Sequence, residues 1–342
     1  MKSTAAALGA TAVLLLACGV GSATATAAPA HGRAAAARQQ AADVCASAGA
    51  DSGRTVRGAL PRDEVHHQLA GLTGPQRAAR GYPDSANKAD TSGTAGTSGN
   101  PDTSGIADKG PLGGGGPGRG LLTDIHPAQG TSFKEISGSD GSCATQSVSA
   151  QLTVQDGSTT IYTPTMYPAG GSCIELVTVY TVSGRSVSAW DWCDSVAFEA
   201  SVPIDSAFLS TYTDGNSSAY TGRVVKTDAA SNSWTAGLYN YRTGSWDTLF
   251  TQSGQNQSGR NTGWDINELY SQVGTSGRSA ACDAMAGQTF ESSNITVRIN
   301  GSWTPASPDN SDTTYDSPAG SFYCPDRTYQ MVSAYDHWKA VG

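Results

Sequence analysis

The chain has 342 residues, a formal net charge of −8 and 41 glycines. Its acidic balance, with no basic cluster in the C-terminal two thirds, argues against a nucleic acid partner. It contains no C-x-x-C pair, no H-E-x-x-H helix and no G-x-S-x-G elbow, so neither a metal nor a cofactor is expected and no serine–histidine set competes for the chemistry.

At the N-terminus, Lys2 precedes an apolar stretch from Ala5 to Val20. Small residues follow and end in Ala25-Thr26-Ala27, a small-x-small cleavage site. The stretch is too short and too weakly apolar for a stable membrane span. Residues 1–27 therefore read as a secretion signal, and the protein as secreted and extracellular, with no membrane attachment once the signal is removed. A second reading is that Leu15-Leu16-Ala17-Cys18 approximates a lipoprotein cleavage box, with Cys18 as the lipidated residue.

Residues 28–90 are rich in Ala, Arg and Gln and read as a pro-segment. One helix is predicted from Pro61 to Leu72, with Pro at its start and Asp63 and Glu64 in its first turn. Residues 91–120 are nearly all Thr, Ser, Gly, Pro and Asp, which cannot bury a core, and form a linker.

From 121 to 342 the character changes to short runs of Val, Thr, Tyr and Trp, broken by Gly, Asn, Asp and Ser. That pattern predicts one all-β domain, an antiparallel β-sandwich or jelly roll, monomeric. About 220 residues suffice to bury roughly 70% of the surface the unfolded chain exposes. Six cysteines remain after signal removal, and in an exported chain they read as disulfides. Proximity pairs Cys173 with Cys193 and Cys282 with Cys324. That leaves Cys45 and Cys143, whose pairing would tether the leader to the domain.

In CIELVTVY (173–180), Glu175 shares a strand face with Val177 and Val179. In GWDINELY (263–270), Glu268 shares one with Trp264, Ile266 and Tyr270. A carboxylate among such neighbours is costly unless it is partnered or used. The ordinary alternative is a solvent-facing or edge position for each. Asp191, Asp265 and Glu291 are secondary candidates of a type that turns and exposed faces usually absorb. Of five histidines, His31, His66, His67 and His126 fall in or beside the leader and linker, and only His337 lies deep in the domain.

Two i, i+2 aromatic pairs, Trp190 with Trp192 and Tyr239 with Tyr241, could fill a core or make a flat platform on one sheet face. Between the second pair and Trp246, NYRTGSW (240–246) reads as a hairpin turning at Thr243-Gly244.

The succession IELVTVYTVSGRSVSAWDWCD, VPID, NYRTGSWD, TGWDINELY and FESSNITVRINGSW, about 130 residues from Cys173 to Trp303, resembles the jelly-roll glutamic peptidases, the eqolisin family. The resemblance implies a jelly roll and an acid endopeptidase. It sets Glu175 where that family has its catalytic glutamine and Glu268 near its catalytic glutamate. WDWC at 190–193 would stand for a WYEWYP-like segment, and NYRTG matches a hairpin motif.

Two adjacent carboxyl groups would share one proton in acid, at about pH 3 to 5, one activating water and the other protonating the developing oxyanion. On this reading Glu175 and Glu268 are catalytic. Trp190, Asp191, Trp192, Tyr239, Tyr241 and Trp264 line the substrate, an extracellular polypeptide or polysaccharide. The competing classes are a lectin-like carbohydrate-binding module that uses the aromatic platform, and a glycoside hydrolase that uses the same two glutamates.

Overall fold

The computed structural model describes residues 44–45, 51–61, 123–182, 184–193, 197–215, 218–252, 254, 259–316 and 319–342. The signal segment with Cys18, the linker, and all but Pro61 of the helix predicted over 61–72 lie outside them.

Two sheets carry the fold, with strands numbered along the chain. The first is nine-stranded. Its order is β1 (Asp51–Thr55), β11 (Ser245–Gln252), β10 (Ser233–Asn240), β9 (Ala219–Asp228), β4 (Ser139–Ser147), β13 (Thr289–Ile299), β17 (His337–Val341) and β16 (Thr328–Ser333), with β14 (Ser302–Pro305) attached to β13. The second is eight-stranded. Its order is β15 (Ser311–Asp316), β3 (Ala128–Phe133), β12 (Gly263–Val273), β5 (Thr160–Tyr167), β6 (Ile174–Thr181), β7 (Gly184–Asp191) and β8 (Ala197–Pro203), with β2 (Thr123–Ile125) attached to β12. The protein is thus the all-β sandwich its turn spacing predicts.

Period-two alternation builds the core between the sheets. From β6 come Ile174, Leu176 and Tyr180; from β12, Leu269; from β9 and β10, Val224, Trp234, Ala236 and Leu238; from β13 and β17, Phe290, Ile295 and Trp338, all buried. The predicted hairpin joins β10 to β11. Gly244 sits at φ +66° and donates its N–H to Asn240 O at 2.8 Å, a conformation that favours glycine.

A polar chain runs through this core. Thr178 Oγ1 and Tyr220 OH lie 3.0 Å apart, and Tyr220 OH donates to Gln146 Oε1 at 2.7 Å. Gln146 Nε2 in turn donates to Asp265 Oδ2 at 3.1 Å, and Trp338 Nε1 to Asp265 Oδ1 at 2.8 Å. Asp265 is therefore a core residue and not a turn or surface carboxylate. Burial pushes its carboxyl up to about 7, against hydrogen bonds from Ser292, Trp338 and Gln146 that favour the ionised form.

The sandwich also takes in residues N-terminal to the linker. β1 pairs in parallel with β11, Asp51 opposite Trp246 and Thr55 opposite Thr248. Val56 is buried in the inter-sheet core, and Leu60 bridges to Ser201 on β8. Cys45 bonds Cys143 of β4 across a sequence separation of 98, and Cys173–Cys193 and Cys282–Cys324 pair as the sequence predicts. Three disulfides fit an oxidising compartment, and no helix among the described residues is long and apolar enough to cross a membrane.

Candidate active site

The other face of the eight-stranded sheet, turned away from the partner sheet, gathers a second apolar cluster. It comprises Ala128, Tyr162, Tyr167, Val177, Val179, Trp190, Trp192, Phe198, Trp264, Ile266 and Tyr270, each at most 6% exposed. Glu175 and Glu268, both 0% exposed, alternate in phase with these residues on β6 and β12 and so belong to this face. Neither is the solvent-facing or edge glutamate of the ordinary alternative.

They do not stand side by side. Across β5, Glu268 is level with Tyr162 and then Val179, whereas Trp264 is level with Tyr167. Continuing the Met166–Leu176 pairing by one residue sets Tyr167 beside Glu175. The glutamates are four residues out of level, about 13 Å along the strands, and two strands apart, about 9.5 Å across.

Each carboxylate has its own partners. Glu175 accepts from Trp264 Nε1 at 2.8 Å (Oε1), from Trp192 Nε1 at 3.0 Å (Oε2) and from the Thr165 hydroxyl. Glu268 Oε1 lies 2.5 Å from His126 Nε2 and accepts from Tyr270 OH at 3.4 Å. The His126 ring stacks on Tyr270 with centroids 3.8 Å apart and planes 20° from parallel. Thr163 Oγ1 fixes the Glu268 backbone from both sides, accepting from its N–H at 3.1 Å and donating to its carbonyl at 3.0 Å. A bulge between Ile266 and Glu268, where β12 meets β5, locally sets the projection of Glu268.

His126 is the residue that reading the sequence passed over as part of the leader's surroundings. It follows β2 immediately, and its side chain is 24% exposed beside the fully buried glutamate. Such an arrangement can pass a proton between a carboxylate inside the protein and an imidazole that solvent reaches. Glu199 is a further buried carboxylate, on β8, and carries the same signal as the other two, a lone glutamate in the apolar run AFEASV.

The predicted binding residues divide. Trp192 and Trp264 flank Glu175. Trp190 packs on Trp192 at 5.6 Å and edge-on to Phe198 at 4.8 Å, 1% exposed. Asp191 is 1% exposed, and its Oδ1 accepts from Cys193 N at 2.8 Å, closing the turn that the Cys173–Cys193 bond anchors. Tyr239 and Tyr241 lie on the other sheet, on the outer face of β10 and just beyond its end, against Trp246 and Thr221. The four aromatics therefore do not share one platform, because the two pairs sit on strands of different sheets. Among the described residues no group of three or more His, Cys, Asp or Glu is placed to hold a metal ion.

No family description and no curated protein matches the sequence. Among solved structures, scytalido-glutamic peptidase bound to a peptide-based transition-state analogue is similar at 13% identity and a TM-score of 0.40, over 64% of this chain and 99% of that one. SCP-B, an eqolisin-family peptidase in complex with the tripeptide Ala-Ile-His, is similar at 14% identity and a TM-score of 0.38, over 64% and 99%. The likeness is distant, and the chemistry has to be read from the site itself.

Proposed function

We propose that this is an exported hydrolase of polypeptides in which Glu268 activates water and His126 handles the second proton. The observation that carries the reading is the 2.5 Å contact between the buried Glu268 carboxylate and the partly exposed His126 ring. In the ionised form Glu268 takes a proton from water as the oxygen attacks an amide carbonyl. A proton on His126 Nε2 is held by Glu268 Oε1, so it is the Nδ1 proton of the imidazolium that passes to the departing amine, and charge is transferred rather than created. Stacking on Tyr270 holds the imidazole plane, and Thr163 holds the backbone of the base.

Glu175 stands with the substrate-binding aromatics and not with the reacting water. Its separate partners and its separate row remove the basis for a proton-sharing carboxyl pair, and with it the reason to expect activity confined to acid. They also disfavour a glycoside hydrolase, which needs two carboxyl groups bracketing one bond at about 5 to 9.5 Å. Among the bonds such a couple can hydrolyse, the resemblance of the strand and turn segments to the glutamic peptidases favours the peptide bond.

The test is hydrolysis of an unfolded polypeptide by the purified protein and by Glu268→Gln. Cleavage that falls by about 10³-fold or more in the variant, with unchanged far-ultraviolet dichroism, is the expected result. Undiminished cleavage by the variant, or cleavage of polysaccharide alone, overturns the reading.

A further inference from the structure

Every member of the apolar cluster on the outer face of the eight-stranded sheet comes from that sheet's own strands or, for Trp192, from the residue just after β7. Among the described residues, no apolar side chain of any other element packs against it. Side chains standing side by side on one face bury one another's flanks but not their outer ends. Tyr162, Tyr167, Val177 and Ile266 are nevertheless 0% exposed, and so are Glu175 and Glu268. His126 stacks on Tyr270 at one end of the face, and Arg260 lies over the Trp192 and Trp264 rings at the other. Besides the partners already named, Tyr162, Glu175, Trp264, Glu268 and Tyr270 each have a further polar, ring or electrostatic contact. A face this deeply buried has a cover beyond its own sheet.

The path of the chain leads a cover to this face. Leu60 bridges to Ser201 on β8, at one edge of the sheet, and the chain returns at β2, paired with β12 four strands away, about 19 Å across the face. Six extended residues span about that distance, so length does not hinder residues 62–122 from crossing it. The face presents aromatic rings around two buried carboxylates, and so calls for apolar area and positive charge. Residues 65–83 carry both. Val65, Leu69 and Leu72 recur at i, i+4 and i+7, Arg77 and Arg80 follow, and no acidic residue lies between Val65 and Pro83. The Thr-, Ser-, Gly-, Pro- and Asp-rich stretch from 91 to 120 offers little of either.

We propose that residues 62–83 dock on the outer face of the eight-stranded sheet, over Glu175 and Glu268, and hold the intact chain in a latent state that ends when the segment is displaced or cut away. Docking rests on burial, charge and chain path alone. Latency rests in addition on the hydrolase reading, because a covered Glu268 meets no substrate. A tethered segment acts at high effective concentration, which keeps the uncovered form a minor population.

The experiment uses the full chain with the photo-reactive residue p-benzoylphenylalanine in place of Gln68 or, separately, Gln76, and maps the cross-linked peptides by mass spectrometry. Links within one molecule to peptides from β5 to β7 or from β12 are expected. Links to the nine-stranded sheet alone, links between molecules alone, or no link beyond that of the urea-unfolded chain overturn the docking. Hydrolysis of an unfolded polypeptide is followed separately for the intact chain and for a variant lacking residues 62–83. The variant is expected to be faster by about tenfold or more, and a synthetic 62–83 peptide added back should slow it again.

Links on the face together with a variant no faster than the intact chain overturn the latency. Links on the face with no hydrolysis by either protein keep the docked segment and remove the hydrolase reading instead. If the shortened variant fails to fold, the full-length Leu69→Asp, Arg77→Glu variant decides the same question.

Discussion

Asp265→Asn should change how the stability of this protein depends on pH. Asp265 is 0% exposed in the core between the sheets, and burial raises its carboxyl from 3.8 to about 7. Between those values the folded protein holds a proton that the unfolded chain has released, so the group contributes stability fully present below about pH 4 and lost as pH rises toward 7. At 1.36 kcal/mol per pH unit, three units amount to about 4 kcal/mol as an order of magnitude. Asparagine cannot ionise. It also brings an amide N–H₂ toward Gln146 Nε2 or Trp338 Nε1, both donors, a mismatch of about 1–3 kcal/mol that is the same at every pH. The absolute stability of the variant is therefore less informative than its slope. Urea denaturation of both proteins at pH 4, 5.5, 7 and 8 should show unmodified protein losing stability relative to the variant across that interval. Parallel stability curves for the two proteins would refute the assignment of a buried, proton-retaining Asp265.

Three further outcomes follow from the packing. Cleavage of the chain anywhere between residues 62 and 122 should leave the N-terminal piece attached through Cys45–Cys143, so that a non-reducing gel shows one species and a reducing gel two; Cys143→Ser should release that constraint and lower stability by about 4–5 kcal/mol. Gly130→Ala should be strongly destabilising, by more than about 2 kcal/mol in urea denaturation, because the added Cβ would meet the Asp265 carbonyl at 2.4 Å where β3 lies against β12. Trp264→Phe keeps the ring stacked on Tyr167 but removes a donor from the buried Glu175, and should cost about 1–3 kcal/mol by the same measurement while weakening substrate binding more than turnover.

The all-β architecture was legible in the sequence because alternation and turn chemistry are local. IELVTVY and GWDINELY each declare which residues share a face, and the structure keeps Glu175 with Val177 and Glu268 with Trp264. What local pattern cannot supply is the level of one strand against another. β5 and β12 meet across about a hundred residues of chain, and their register, with its bulge before Glu268, is decided by packing on both faces. For the same reason the tyrosine pair at 239 and 241 was readable as sharing one face of its strand, but not as belonging to the opposite sheet from Trp190.

β1 escaped because DSGRT has no apolar alternation. It is held by hydrogen bonds from Ser52 and Arg54 to Asp247 and by an ion pair from Asp51 to Arg223. His126 escaped because the strand it follows is three residues long and borders a linker of no pattern at all. A histidine-proline step directly ahead of the strand AQGTSF was the one available cue, and it marks a strand start rather than chemistry.

The central claim, that Glu268 and His126 act as one proton-transfer couple, is tested most directly by a double-mutant cycle: kcat/KM on an unfolded polypeptide for the unmodified protein, Glu268→Gln, His126→Asn and the double variant. The account predicts that each single change lowers kcat/KM by about 10²–10⁴-fold and that the double variant falls little further, because either change breaks the same couple. A His126→Asn variant that keeps most of its activity, or single losses that multiply in the double variant, would contradict the couple and return the catalytic role to some other group.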